Sequence, residues 1–200
     1  MNCMESNGSN RGTRSNGAGI PMVLSAVVAE NGIPVKFEQV SADTLNKVRN
    51  LNSALFPVRY SSSFYKSLTL PGQFAQLATY QGTYVGTIAC RKQPLGFADP
   101  ATGFHNPRIP QPELYEMYMM TLGVLAPYRR LGIGRMLLTN ALNAARQDPL
   151  VARVVLHVKI DNDDALRFYH KHGFATLRLI ERYYKNIEPP HAYILEYRIR

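Results

Sequence analysis

The sequence predicts a mixed α/β fold built as one domain, and three observations carry that reading. Short β-branched or aromatic runs alternate with segments whose apolar residues recur every three or four positions. A Gln-Gly turn joins two strand-like runs, and a glycine-bearing loop lies directly between a strand and an amphipathic helix. Of the 200 residues, a polar leader takes residues 1–33, which leaves roughly 165, the length of one compact domain. Hydrophobic residues make up 46% and charged residues 18%, enough apolar surface to offset the entropy of ordering the chain.

The elements follow in order from Pro34. Val35 to Val40 alternates like an edge strand. Ser41 can cap a helix from Ala42, with Leu45, Val48, Leu51 and Leu55 on one face, until Pro57 stops it. Ser61 to Leu68 reads as a second short helix, and Ala75 to Tyr80 and Tyr84 to Arg91 as a hairpin around Gln81-Gly82. Residues 92–113 hold five prolines and two glycines, so a long, mobile loop insertion is expected there. Glu116 to Val124 is a strand, Leu137 to Arg146 a helix, and Val151 to Ile160 a β-branched strand. Asp163 to His172 is a helix with acidic residues in its first turn, and Phe174 to Tyr184 and Ala192 to Tyr197 are the last strands.

The leader is rich in Asn, Ser and Gly, and it ends in the apolar run Ile20 to Ala29. It reads as a flexible or disordered extension, with two alternatives open: a weak secretion signal, or a start of translation at Met22. No run approaches the roughly 18 to 20 apolar residues that a membrane-spanning helix needs. Cys3 and Cys90 form neither a disulfide framework nor a metal-ligand spacing, so a reducing compartment and no metal are expected. Arg11 and Arg14 balance Glu5 and Glu30, which puts the whole net charge of +9 on residues 35–200. Such a surface attracts anions, including nucleic acid, ribosome, acidic lipid or a phosphorylated cofactor.

The sharpest local signal is Pro127-Tyr128-Arg129-Arg130-Leu131-Gly132-Ile133-Gly134, an Arg-x-x-Gly-x-Gly turn between strand and helix. Glycines let consecutive backbone N–H groups converge on an anion at the positive end of a helix, and the arginines add formal charge. No Gly-Lys-Ser/Thr follows and a third glycine is missing, which excludes a Walker A loop and a dinucleotide fingerprint. The bare alternative is a plain strand-to-helix turn.

That turn, with Leu156-His157-Val158, with Asn162-Asp163-Asp164-Ala165-Leu166-Arg167-Phe168-Tyr169 and with Gly173-Phe174, resembles the GNAT superfamily of acetyl-CoA-dependent acyltransferases. Further islands at Phe56-Pro57-Val58-Arg59-Tyr60, Tyr118 to Gly134 and Tyr183 to Pro189 extend the resemblance to its NatE-type N-terminal acetyltransferases across nearly the whole domain. The leader, the Pro-rich insertion and the short tail depart from the pattern. The resemblance implies a mixed, largely antiparallel sheet whose central strands splay apart, flanked by helices, with acetyl-CoA as cosubstrate. Its CoA contacts would fall on Leu122, Gly123, Val124, Arg129, Arg130, Leu131, Gly132, Ile133, Gly134, Arg135, Asn162, Ala165, Phe168, Tyr169 and Lys171.

An amine attacking a thioester must be neutral, yet an α-amine with a pKa of about 7.7 to 8.0 is mostly protonated at pH 7. Tyr118 and His157, made neighbours by the resemblance, are the expected general-base pair acting through a shared water. An alignment using Tyr115 instead breaks the gapless run from Tyr118. Backbone N–H groups near Leu122 and Gly123 would meet the developing oxyanion, and Tyr169 would protonate the leaving thiolate. Cys90, away from the motifs, reads as core, so direct transfer is expected rather than an acyl-enzyme.

Phe56, Pro57, Val58, Tyr60, Met120, His157, Tyr183, Tyr184 and Ile187 are the expected acceptor site, suited to an N-terminal Met followed by a hydrophobic residue. Expected partners are N-terminal peptides of nascent or completed proteins, together with NatA auxiliary and catalytic subunits and the ribosome. No sequence-specific nucleic acid and no membrane are expected, and the location is cytoplasmic, extending to the nucleus. Two other functions stay open: a lysine or small-amine acetyltransferase, and a docking subunit of a ribosome-associated assembly.

Overall fold

The computed structural model describes residues 27–28, 32, 34–95, 114–185 and 187–200. Most of the expected leader, residues 96–113 of the Pro-rich insertion, and Asn186 lie outside the described residues. The strands are β1 (Val27–Val28), β2 (Pro34–Gln39), β3 (Gln73–Tyr80), β4 (Thr83–Pro94), β5 (Tyr115–Val124), β6 (Val151–Lys159), β7 (Ala175–Ile180) and β8 (Ala192–Arg198). The helices are α1 (Leu45–Leu55), α2 (Ser62–Ser67), α3 (Ile133–Gln147) and α4 (Asp163–Lys171).

The strands form one sheet in the order β1-β2-β3-β4-β5-β6-β8-β7. Every pairing is antiparallel except β5 with β6, which pair in parallel only from Tyr115 to Tyr118 against Val151 to Val155. Beyond Tyr118 the two strands part, which is the expected splay. A register shift between Ala89 and Cys90 of β4 leaves Met120 as an extra residue on β5, a bulge at the start of that gap.

Alternation along the strands sends neighbouring residues into two cores. Ala75 and Leu77 of β3 and Ala89 of β4 pack with Val48, Leu51, Tyr65 and Leu68 of the α1–α2 side. Phe74, Cys90 and Met119 pack with Leu137, Leu138 and Ala141 of α3 and with Tyr169 of α4. One side of the gap therefore carries α1 and α2, and the other carries α3 and α4.

Several boundaries differ from the sequence reading. β2 is not the outermost strand, because Val27 and Val28, from the apolar end of the segment read as leader, pair with Val35 and Pro34. The first helix starts as a 3-10 turn at Ala42–Thr44, tightened where Ser41 N–H donates to Thr44 Oγ1 at 2.9 Å. β4 runs on to Pro94, so residues 92–94 are strand rather than loop. α3 begins four residues before Leu137, because Gly132 takes φ 77° and turns the chain directly into the helix. β7 stops at Ile180, after which Arg182 adopts φ 52° and Tyr184 N–H donates to Pro190 O at 2.8 Å. Tyr183 and Tyr184 thus lie in a folded loop, not on a strand.

Candidate active site

The parting of β5 from β6 opens a cavity of about 230 Å³. Met119 to Leu122 line one wall and Leu156 to Lys159 the other. Phe56, Tyr60 and Tyr184 close the α1–α2 side, and Asn162, Ala165 and Tyr169 of the α4 region the opposite side. Period-2 alternation puts Tyr118 of β5 and His157 of β6 on the same, α1–α2, face of the sheet. There Tyr118 Oη lies 3.2 Å from His157 Nδ1.

The pair is in direct contact, as two side chains sharing one water would be. Tyr183, expected only to hold substrate, stacks on His157 with ring centroids 4.3 Å apart, and its hydroxyl lies 3.5 Å from that of Tyr118. Burial pushes the Tyr118 phenol well above its ordinary range, and Tyr183 adds to the effect. Burial pulls His157 down to about 4, opposed by the charge of Glu116. Both groups are therefore neutral near pH 7. His157 Nε2 is buried without a hydrogen-bond partner, so one ring nitrogen has unspent capacity.

On the α3–α4 side the geometry suits an anion. α3 is 15 residues long and no side chain caps its N-terminus, so its first N–H groups lack the usual acceptor. Arg130 and Gly132 both take positive φ, which folds the turn around that end. A Cβ added at Gly134 would meet nothing nearer than Val124 Cγ2 at 3.8 Å and Phe168 at 3.9 Å. The protein's own packing does not require a glycine there, whereas a closely approaching ligand does. Arg129 Nε donates to Val124 O at 3.0 Å and ties the turn to the end of β5, while Arg130 and Arg135 are exposed. These features fit the pyrophosphate of CoA.

Asn162 caps α4 by accepting from Ala165 N–H at 3.1 Å, which fixes its side chain at the cavity edge. Tyr169 lines the cavity, but its hydroxyl donates to Met119 Sδ at 3.6 Å and burial raises its pKa. As a neutral phenol it keeps a proton to give.

The remaining expected residues divide clearly. Gly123 is where Phe56 packs on bare backbone: an added Cβ would lie 2.9 Å from Phe56 Cζ and 3.0 Å from Leu55 Cδ1. Val124 and Ile133 are buried in the core and Leu131 is half-buried against it, so these residues offer backbone rather than side chains. Phe168 packs between Tyr169 and His172, and Lys171 is exposed outside the cavity lining. Pro57, Val58 and Ile187 are exposed beyond the lining, Val58 by 52%. Cys90 is fully buried, and burial pushes its thiol far up. Contrary to the expectation that it sits away from the motifs, it pairs with Met119, whose Sδ accepts from the Tyr169 hydroxyl.

Five residues that line the cavity were not among the expected site residues: Met119, Leu156 and Val158, which are buried in the core behind it, and Thr121 and Lys159. Thr121 is buried with an unpartnered Oγ1. Lys159, two residues past His157 on the same strand face, bridges Asp161 Oδ2 at 2.9 Å and Glu188 O at 2.7 Å. Period-2 spacing from His157 would have found Lys159, while Thr121 carries no signal apart from its strand.

Comparison with known proteins agrees with this geometry. A model of the Acetyltransferase (GNAT) family matches residues 45–174. The chain is 35% identical over 166 residues to N-alpha-acetyltransferase 50 of Danio rerio, covering 83% of this chain and 89% of that one. It is also 35% identical to the probable N-acetyltransferase san of Drosophila melanogaster, covering 83% and 82%. A solved structure of Arabidopsis thaliana Naa50, in complex with the bisubstrate analogue CoA-Ac-MVNAL, superposes with a TM-score of 0.69 at 36% identity, covering 82% of this chain and 97% of that one.

Proposed function

The chain belongs to the acetyltransferase (GNAT) family, and from that premise we propose that it is an acetyl-CoA-dependent N-terminal acetyltransferase preferring Met followed by a hydrophobic residue. The observation that carries the reading is the neutral Tyr118–His157 pair, 3.2 Å apart, at the mouth of a strand gap rimmed by Phe56, Tyr60 and Tyr184. Two aromatic hydroxyls and an apolar wall suit a free chain end, whose backbone needs polar partners and whose first side chain needs apolar contact. The Arabidopsis relative takes an analogue that joins CoA to a peptide beginning Met-Val, which supports the same acceptor class here.

Acetyl-CoA supplies the thioester carbonyl. The α-amine forms the new C–N bond as the C–S bond breaks. The α-ammonium loses one proton before attack and a second as the amide forms, while the thiolate gains one through Tyr169, which recovers its own proton from solvent. With His157 near 4 and the α-amine near 8, a proton prefers the amine by roughly 10⁴. His157 is thus no resting place for that proton. It and Tyr118 orient a shared water, which accepts the proton and passes it to solvent. Buried Cys90, its thiol held protonated, favours direct attack over an acyl-enzyme. The net charge of +9 suits work beside the ribosome in the cytoplasm, with docking to NatA subunits as part of the same reading.

The test is acetyl-CoA turnover against short peptides beginning Met-Leu, Met-Phe, Ser-Glu and Ala, with an internal-lysine peptide alongside. Met-Leu and Met-Phe should lead, and Val58→Asp should weaken Met-Leu turnover far more than CoA binding. Equal turnover of Ser-Glu or internal-lysine peptides would replace this reading with a general amine acetyltransferase.

A further inference from the structure

Beneath the Tyr118–His157 pair β5 carries a carboxylate that the chemistry above leaves unused. Glu116 is fully buried, two residues before Tyr118 and so on the same strand face. Its Oε1 accepts from Gln93 Nε2 of β4 at 2.8 Å, and its Oε2 from Arg153 Nε and Nη2 of β6 at 3.0 and 2.8 Å. The chain of contacts continues at both ends. Arg153 Nη1 donates to Glu196 Oε2 of β8 at 3.2 Å, and Glu196 Oε1 accepts from Arg198 Nε at 2.8 Å. Gln93 Oε1 accepts from Arg91 Nε at 2.8 Å, and the Arg91 guanidinium lies 5.3 Å from the centre of the Tyr118 ring.

This network crosses β4, β5, β6 and β8 along the Gln93–Glu116–Arg153–Arg198 rung, two residues before Tyr118 and Val155 form the last pair ahead of the gap. Burying such charges is an expensive way to hold a sheet, and well-packed apolar residues of the same volume often do it better. Fixed geometry is what the ionic arrangement supplies. Hydrogen bonds of set direction determine both where Arg91 sits over Tyr118 and how the strand bearing His157 lies against β5.

We propose that Glu116 is a positioning residue for acetyl transfer, latching Arg91 onto Tyr118 through Gln93 and β6 onto β5 through Arg153. The proposal rests on Tyr118 and His157 being the working pair. The Glu116 carboxylate also opposes the effect of burial on His157, so it is coupled to the pair by charge as well as by contact.

Glu116→Gln keeps the shape but puts an amide N–H against Gln93 Nε2, two donors facing each other. Gln93 can relieve the clash only by turning its amide and releasing Arg91. Steady-state kinetics on E116Q should show kcat reduced on the order of ten-fold, with KM for acetyl-CoA within about two-fold, because the CoA turn lies across the sheet. The double variant E116Q/Q93E moves the carboxylate one strand over and restores the donor–acceptor matches to Arg91, Arg153 and between residues 93 and 116, so it should regain kcat to within about three-fold of wild type. Q93M, which frees Arg91 but leaves the Glu116–Arg153 pair intact, should lose kcat even if E116Q fails to fold. Wild-type kcat in Q93M or E116Q would overturn the proposal, as would a loss that raises KM for acetyl-CoA equally or that E116Q/Q93E leaves unrepaired. Tyr118→Phe, assayed in parallel, separates the two failures: wild-type turnover there sinks the working pair itself, whereas an inactive Y118F beside a fully active E116Q sinks only the positioning role.

Discussion

The two sides of the strand gap are built on different principles. The α3–α4 side is local: Leu122 to Arg135 is one continuous stretch that runs off a strand, turns at Gly132 and enters a helix, and Asn162 to Tyr169 adds a second continuous stretch. The α1–α2 side is assembled from Phe56 and Tyr60, Tyr118 and Met120, His157, and Tyr183 and Tyr184, four segments that only sheet order and loop folding bring together. Backbone conformation shapes the turn proposed to hold the anion, whereas tertiary register shapes the proposed acceptor site. The first should thus tolerate distant mutations that the second does not, and substitutions on one side should leave the other side's function standing.

The largest effect that breaks the comparison comes from the acceptor side. Tyr118→Phe and His157→Ala should each lower kcat on the order of 10²-fold or more while acetyl-CoA still raises Tm. The double variant should be little worse than either single one, because two residues orienting one water act as a unit. Loss of the acetyl-CoA shift in either single variant would mean that the two sides are not independent.

The second effect separates two glycines two residues apart. Gly132 sits at φ 77°, so Gly132→Ala should destabilise the free protein by about 1 kcal/mol. Gly134 is helical and an added Cβ would make only ordinary contacts, with Val124 at 3.8 Å and Phe168 at 3.9 Å, so Gly134→Ala should leave the free protein's Tm almost unchanged. The same methyl occupies the room kept for phosphate and should weaken acetyl-CoA binding at least ten-fold. Calorimetric titration with thermal melts checks both, and full CoA affinity in Gly134→Ala would remove the anion assignment from that position.

The same contrast explains what could be seen in the sequence. The turn at 129–134, the helix at 163–171 and the β3–β4 hairpin were legible because glycine, capping residues and spacing act within a few residues. The contact of Tyr183 with His157 was not, because β7 was read four residues too long and the fold of the 181–191 loop depends on bonds such as Tyr184 N–H to Pro190 O. Glu116 was overlooked inside an apolar strand, its partners Gln93 and Arg153 lying 23 and 37 residues away. Long-range hydrogen bonding of that kind leaves no periodicity to read. Tyr118 and His157 themselves were found through family resemblance, not through spacing.

The smallest effect concerns stability and pH, and it too divides the sides. His157 is held near 4 in the folded protein, below the ordinary 6.5 of an unfolded histidine. Between those values the unfolded chain binds the proton first, so stability is present above about pH 6.5 and is lost as pH falls toward 4. Because the ring is partly open to solvent, the loss is about 1 kcal/mol rather than the full linkage value. In urea titrations from pH 7 to 4.5 the stability difference between wild type and His157→Phe should therefore move against the wild type by about 1 kcal/mol, because the variant has no such group to protonate. Saturating acetyl-CoA should raise both curves without changing their separation, since the anion turn faces away from the imidazole. A separation that acetyl-CoA abolishes would show that the cofactor reaches His157, and the two-sided description of the gap would have to be given up at that residue.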